Sequence, residues 1–248
     1  MPFKDHFSTQ AKDYSKYRPR YPQALFQYLA SLVPEHDLAW DCATGNGQAA
    51  LGLAPFFEKV IATDASEKQI AQATPAENVI YQVAPAEKTE IAAGSVDLIT
   101  VAQALHWFEF EKFYAEARRV AKPGGLLAVW CYAFFECDLR VDPVVYDYYS
   151  NIVGPYWPPD RKLVEEEYET IPFPFKEIST PDFFMEDAWS LNDLVGYLGT
   201  WSATQKYIEK NQKNPLIDFE PTLAKVWGLA DEKKRIRWKL YLKVGRLS

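Results

Sequence analysis

Asp41, Gly45, Gly47 and Asp64 are the residues whose types and spacing could do the most chemistry. The run Leu38 to Ala50 reads as a short apolar strand closed by the Asp41 carboxylate, then a glycine turn, then a helix starting at Gln48. Gly45 and Gly47 permit torsions and close approaches that a Cβ forbids, and the unpaired amides at the helix start would face a ligand above the turn. Gly45-x-Gly47-x-x-Ala50 also satisfies the dinucleotide fingerprint, with Asp64 about 20 residues further on. Asp41 tilts the choice, because an anion there is unwelcome beside a pyrophosphate but suits a ligand bearing an ammonium group, as S-adenosylmethionine does. Asp64 closes the next strand and is suited to accept from both hydroxyls of a ribose, a geometry shared by nicotinamide and adenosylmethionine sites.

Other candidates surround these. Tyr14 and Arg18 belong to a polar, aromatic arm that either covers the sheet or closes over a ligand carboxylate, which Arg can clasp bidentately. Ala86 and Glu87 follow a third strand at the sheet edge where an adenine would lie, although Glu87 could equally be a solvated loop acid. A fourth strand delivers Gln103, His106 and Trp107 to the mouth; a lone histidine is more often structural, but one just past a strand end is a candidate general base.

The elements that must position these groups alternate. A helix opened by Pro22 presents Leu25, Leu29, Leu32 and Val33 on one face. Strands are expected at 38–40, 59–63, 79–83, 96–102 and 126–130, with helices between them and Pro123-Gly124-Gly125 as the stop after the helix carrying Phe113 and Val120. Alternation of this kind gives a doubly wound α/β fold with ligands outside the carboxyl ends of the strands. From Ala133 the regularity gives way to aromatics and prolines, read as a cap insertion whose rings fill either its own core or a pocket wall. Ser190 with Asp193 makes a capping box before a Leu191, Leu194, Leu198 stripe. The alternation of Ile236, Trp238, Leu240, Leu242 and Val244 with polar residues predicts a half-buried strand that returns to the sheet edge.

The chain has 248 residues and a formal charge of -7, with 34 acids against 27 bases, so it offers no general attraction to a polyanion and nucleic acid is not expected as a partner. Three scattered cysteines and three scattered histidines suggest neither a disulfide framework nor a metal site. Met1 to His6 has no apolar leader, and no run approaches the roughly 18 apolar residues of a membrane span, so a cytoplasmic protein without membrane partners is expected. The oligomeric state is left open.

With these residues in view, the sequence resembles a class I S-adenosylmethionine-dependent methyltransferase of the group that includes trans-aconitate methyltransferase. The resemblance rests on Tyr14-x-x-x-Arg18-Pro19-x-Tyr21-Pro22, Asp41 to Gln48, Asp64-Ala65-Ser66, Val101 to Phe108 and Arg119 to Gly125, and extends into Gly196 to Ser202. Cys42-Ala43 departs from the Gly-Cys or Gly-Ser usual there, and Pro85 replaces an acid found near the adenine in many members. The resemblance implies a Rossmann-like, mainly parallel seven-stranded sheet with an antiparallel edge strand. The expected layout is one domain, with an arm over 1–21, a core over 22–135 and 232–248, and a cap over 136–231.

It also implies an adenosylmethionine site of Tyr14, Arg18, Asp41, Ala43, Gly45, Gly47, Gln48, Asp64, Ala65, Ala86, Glu87 and Gln103. Trp107, Phe108, Trp130 and Trp201 are the expected substrate contacts, and His106 the candidate catalytic residue. The expected activity is methyl transfer to a small molecule, possibly a carboxylate. A non-catalytic adenosylmethionine-binding protein and a nicotinamide oxidoreductase are the alternatives.

Overall fold

The computed structural model describes residues 17–247. The first half follows the alternation: α1 (Gln23–Ser31), β1 (Leu38–Cys42), α2 (Gln48–Leu53), β2 (Lys59–Asp64), α3 (Glu67–Ile70), β3 (Val79–Val83), β4 (Val96–Ala102), α4 (Phe110–Val120) and β5 (Ala121–Cys131). β1 to β5 are parallel neighbours in the order β3-β2-β1-β4-β5. Their apolar residues split cleanly between the two faces of the sheet. On β5, Leu126, Ala128 and Trp130 join the cluster under α1 and α2, whereas Leu127, Val129 and Cys131 join the one under α4. Pro123-Gly124-Gly125 is not the helix stop expected of it. α4 has already ended at Val120, and these residues fall where the β4 to β5 register shifts between Val96 and Leu98.

The second half comprises α5 (Val141–Asp147), α6 (Arg161–Glu165), β6 (Lys176–Ile178), β7 (Phe183–Trp189), α7 (Leu191–Gly199), α8 (Ser202–Asn211), α9 (Leu216–Trp227) and β8 (Lys234–Arg246). β8 does not form the edge. It pairs antiparallel with β5 and also antiparallel with β6 and β7, giving an eight-stranded sheet. The eighth strand arises because the strand beyond β8 is broken in two. Ile178 faces Val244 and Phe183 faces Leu240, so 179–182 spans one residue more than the stretch of β8 opposite. Pro181 in that gap has no N–H to give to a ladder. The capping box forms as expected, with the Ser190 side chain accepting from the Asp193 amide and the Asp193 carboxylate accepting from the Ser190 amide. One hydrophobic cluster runs unbroken from Leu25 and Trp130 to Tyr148, Trp201 and Phe219, joining the sheet to the helices of the second half.

Candidate functional site

The glycine turn is strapped from below by Asp41. Its carboxylate is fully buried and accepts from the Thr44 hydroxyl at 2.5 Å and the Thr100 hydroxyl at 2.8 Å, with the Ala50 amide as a third donor. Burial is the largest influence on this group and raises its pKa to about 6. Asp64 holds the turn from the side, accepting from the Gly45 amide at 2.9 Å and the Ser66 amide at 2.8 Å. Ala43, at φ 55°, takes the left-handed backbone although it is not a glycine, and Gly45 (57°) and Gly47 (90°) continue it. A Cβ at Gly45 would meet nothing within 4 Å, so the turn borders open room; at Gly47 it would run into the Tyr81 ring.

Cys42 lies at the centre of this arrangement, its thiol held well above the usual range first by burial and then by the charges of Asp41, Glu87 and Asp64. Three acids therefore surround one strand end. Their combined field suits a ligand that carries a sulfonium and an ammonium, and the room beside Gly45 next to a fixed Asp64 suits its nucleoside, so the residues fit S-adenosylmethionine. Glu87 also accepts from the Glu109 amide at 3.1 Å, and Ala86 is buried beside it, whereas Ala65 is exposed.

Gln103 stands at the end of β4 in a left-handed conformation, φ 56°. Its side-chain amide donates to the Tyr132 carbonyl at 3.0 Å and accepts from the Tyr132 amide at 2.7 Å, fixing the chain just past β5. Tyr132 in turn accepts from Arg18 Nη1 at 2.9 Å, and Arg18 Nη2 reaches the Thr200 carbonyl at 3.5 Å. Gln48 donates to the Pro19 carbonyl at 3.1 Å, which brings Gln48 and Arg18 to the same side of the glycine turn. Tyr14 lies outside the described residues.

His106 is buried in a short turn after β4, with Nδ1 2.7 Å from the Tyr168 hydroxyl. Desolvation, and then the charge of Arg161, lower its pKa to about 3. Tyr168 reaches it because Glu167 and Tyr168 both adopt positive φ, folding the chain back under the histidine. Among the aromatics expected at the acceptor, Trp107 is 37% exposed, whereas Phe108 packs on Phe113 and Trp130 is buried against Tyr21 and Phe26. Trp201, between α7 and α8, is buried and touches Tyr149 and Trp157. Those two line a cavity of about 620 Å³ that opens past the end of β5, together with Phe134, Tyr146, Arg161 and Tyr241. The sequence leaves Phe134, Tyr146, Tyr149 and Trp157 open between the insertion's own core and a pocket wall, because no periodicity separates the ring that faces a cavity from the one that supports it.

Residues 40–129 match the profile of a family described as a methyltransferase domain. The chain is 36% identical over 238 residues to a Dictyostelium discoideum protein named as a methyltransferase, covering 94% of this chain and 90% of that one. A solved structure described as a type II methyltransferase, from Anaeromyxobacter dehalogenans, is 43% identical and superposes with a TM-score of 0.87 over 93% of this chain and 98% of that one. An uncharacterised methyltransferase of Schizosaccharomyces pombe is 25% identical over 84% of this chain and 83% of its own length.

Proposed function

The chain belongs to the class I S-adenosylmethionine-dependent methyltransferases, and on that premise we propose that it methylates a small, partly apolar molecule whose acceptor group is a carboxylate. When bound, the cofactor supplies a sulfonium methyl whose positive charge disappears as the new bond forms. The residues assigned to it are Asp64 at the ribose, Gly45 to Gly47 beneath the methionine, Ala86 and Glu87 near the adenine, and Asp41 acting through its charge from below the turn. Gln103 and Arg18 fix the chain past β5 that borders the acceptor. Alignment and exclusion of water then carry the acceleration, through effective molarities worth roughly 7 to 11 kcal/mol at best.

His106 carries the choice of acceptor. It is the histidine at the mouth, and burial holds its pKa at about 3 with Nδ1 engaged by Tyr168. Such a group is a poor proton acceptor near neutrality, which favours an acceptor that is already ionised. Methyl-labelled adenosylmethionine offered with a panel of small carboxylic acids, amines and thiols tests this: the label is expected in base-labile esters. Transfer to amines or thiols alone would overturn the carboxylate, and adenosylhomocysteine binding without any transfer would favour a non-catalytic binder. Asp64→Ala is expected to weaken adenosylhomocysteine binding by about 1.5 to 3 kcal/mol, the range for hydrogen bonds to a charged acceptor. Unchanged affinity in a folded variant would remove Asp64 from the ribose.

A further inference from the structure

We propose that the cavity past the end of β5 is the acceptor site, that its occupant is a planar aromatic or conjugated carboxylic acid, and that Arg161 is the residue that selects for the acid group. This rests on the carboxylate reading above and names the class of acid.

The walls are flat rings. Tyr146 and Tyr149 lie 20° from parallel at 6.3 Å, and Phe134 stands across both at 79° and 82°. Trp157 closes another side, 4.9 Å from Tyr149. Rings arranged in this way fit a planar, polarisable body better than a branched aliphatic one.

The charged groups on the same lining sort by partner. Glu165 accepts a short hydrogen bond from the Tyr149 hydroxyl, Glu167 is bonded by the Tyr241 hydroxyl, and Lys162 lies 3.4 Å from Glu166. Arg161 differs. Its Nε donates to the Tyr149 hydroxyl at 2.9 Å, and its guanidinium lies over the Trp157 and Tyr149 rings at 4.7 and 5.6 Å, but no described carboxylate comes within 4.0 Å of it. A half-buried guanidinium held over two rings and lacking an acid partner is pre-organised to take a carboxylate through its two outer nitrogens. Its charge also reaches the turn after β4 and the end of β5: it adds to the lowering of the His106 pKa that burial causes, and it offsets part of the rise that burial imposes on the Cys131 thiol. Those are the two elements beside which the proposed function places the acceptor. Lys in place of Arg keeps the charge and loses the fork, so the two substitutions separate charge from geometry.

The test is titration of trans-cinnamate and of neutral cinnamamide into protein saturated with adenosylhomocysteine, followed by tryptophan fluorescence, for wild type, Arg161→Gln and Arg161→Lys. Wild type is expected to bind cinnamate and to bind the amide about tenfold more weakly or worse. Arg161→Gln is expected to lose that preference, with Arg161→Lys between the two. Adenosylhomocysteine affinity and melting temperature, measured separately, report on the methyltransferase reading and on folding. Equal binding of acid and amide by wild type, an unchanged acid preference in Arg161→Gln, or no cinnamate binding at millimolar concentration in the loaded wild type would each overturn the proposal.

Discussion

Asp41 carries its charge where no water reaches it, and that has a consequence for stability. Its pKa is about 6 in the folded protein against an ordinary 3.8, so the folded state holds the proton more tightly than the unfolded chain does. The stability contributed by that proton is whole below the unfolded value and is lost as pH rises through the folded one. Between pH 4 and 7, wild type is therefore expected to lose up to about 3 kcal/mol relative to Asp41→Asn in denaturant unfolding. A gap that does not change with pH would mean that the carboxyl is ionised throughout. His106 is shifted the opposite way: at about 3 it is neutral across the working range. Turnover is expected to show no limb near the imidazole value of about 6.5, and His106→Gln is expected to lower it modestly without changing the shape of the profile. A loss of several orders of magnitude with cofactor binding intact would make His106 the general base and would count against a carboxylate acceptor.

Among the elements, the end of the sheet opposite the glycine turn is held by one ammonium. Lys122, at the start of β5, places Nζ 2.7 Å from Asp97, 2.6 Å from Asp37 and 2.9 Å from Glu35. Asp97 is only 4% exposed and also accepts from the Leu38 amide, so it aligns β1, β4 and β5 at once. These three carboxylates converge closely enough to suggest a cation site, and the lysine already supplies the cation. Lys122→Met is expected to cost about 3 kcal/mol, the lower end for breaking a buried pair, because it strands the Asp97 charge. Lys122→Met combined with Asp97→Asn should recover much of that loss, and adenosylhomocysteine affinity should not change in either variant.

This knot was not legible in the sequence, since its members come from three separate segments. β1 to β5 were legible, because buried parallel strands write themselves as short apolar runs with the chemistry at their ends, as Asp41 and Asp64 do. The division of the strand beyond β8 was not, because it depends on register against residues some sixty positions away. The same holds for Tyr168 beneath His106, 62 residues apart and brought together by two left-handed residues that no pattern announces.

At the scale of the whole molecule, the segment Tyr17 to Tyr21 ties the two halves together. The Tyr17 ring lies on α7 where Gly196 leaves room, since a Cβ there would come within 2.6 Å of it. Arg18 then spans from Tyr132 past β5 to the Thr200 carbonyl at the end of α7, while also lying 5.5 Å over the Tyr197 ring. Pro19 is held by Gln48 at the start of α2, and Tyr21 packs edge-on against Trp130. The segment thus crosses from the helices of the second half to the glycine turn, and a cofactor seated on that turn as proposed would restrain its anchor at Gln48. Local opening of such a strap is expected to be less costly than global unfolding, and binding at that anchor should raise that cost. Amide exchange at Tyr17, Arg18, Arg20 and Tyr21 is therefore expected to slow on adding adenosylhomocysteine. In Arg18→Ala the slowing should be much smaller, because the link between Tyr132 and Thr200 is gone, and adenosylhomocysteine should bind more weakly. Exchange at the same rate with and without the ligand, in wild type, would show that the segment serves only the packing of the two halves and does not close over the cofactor.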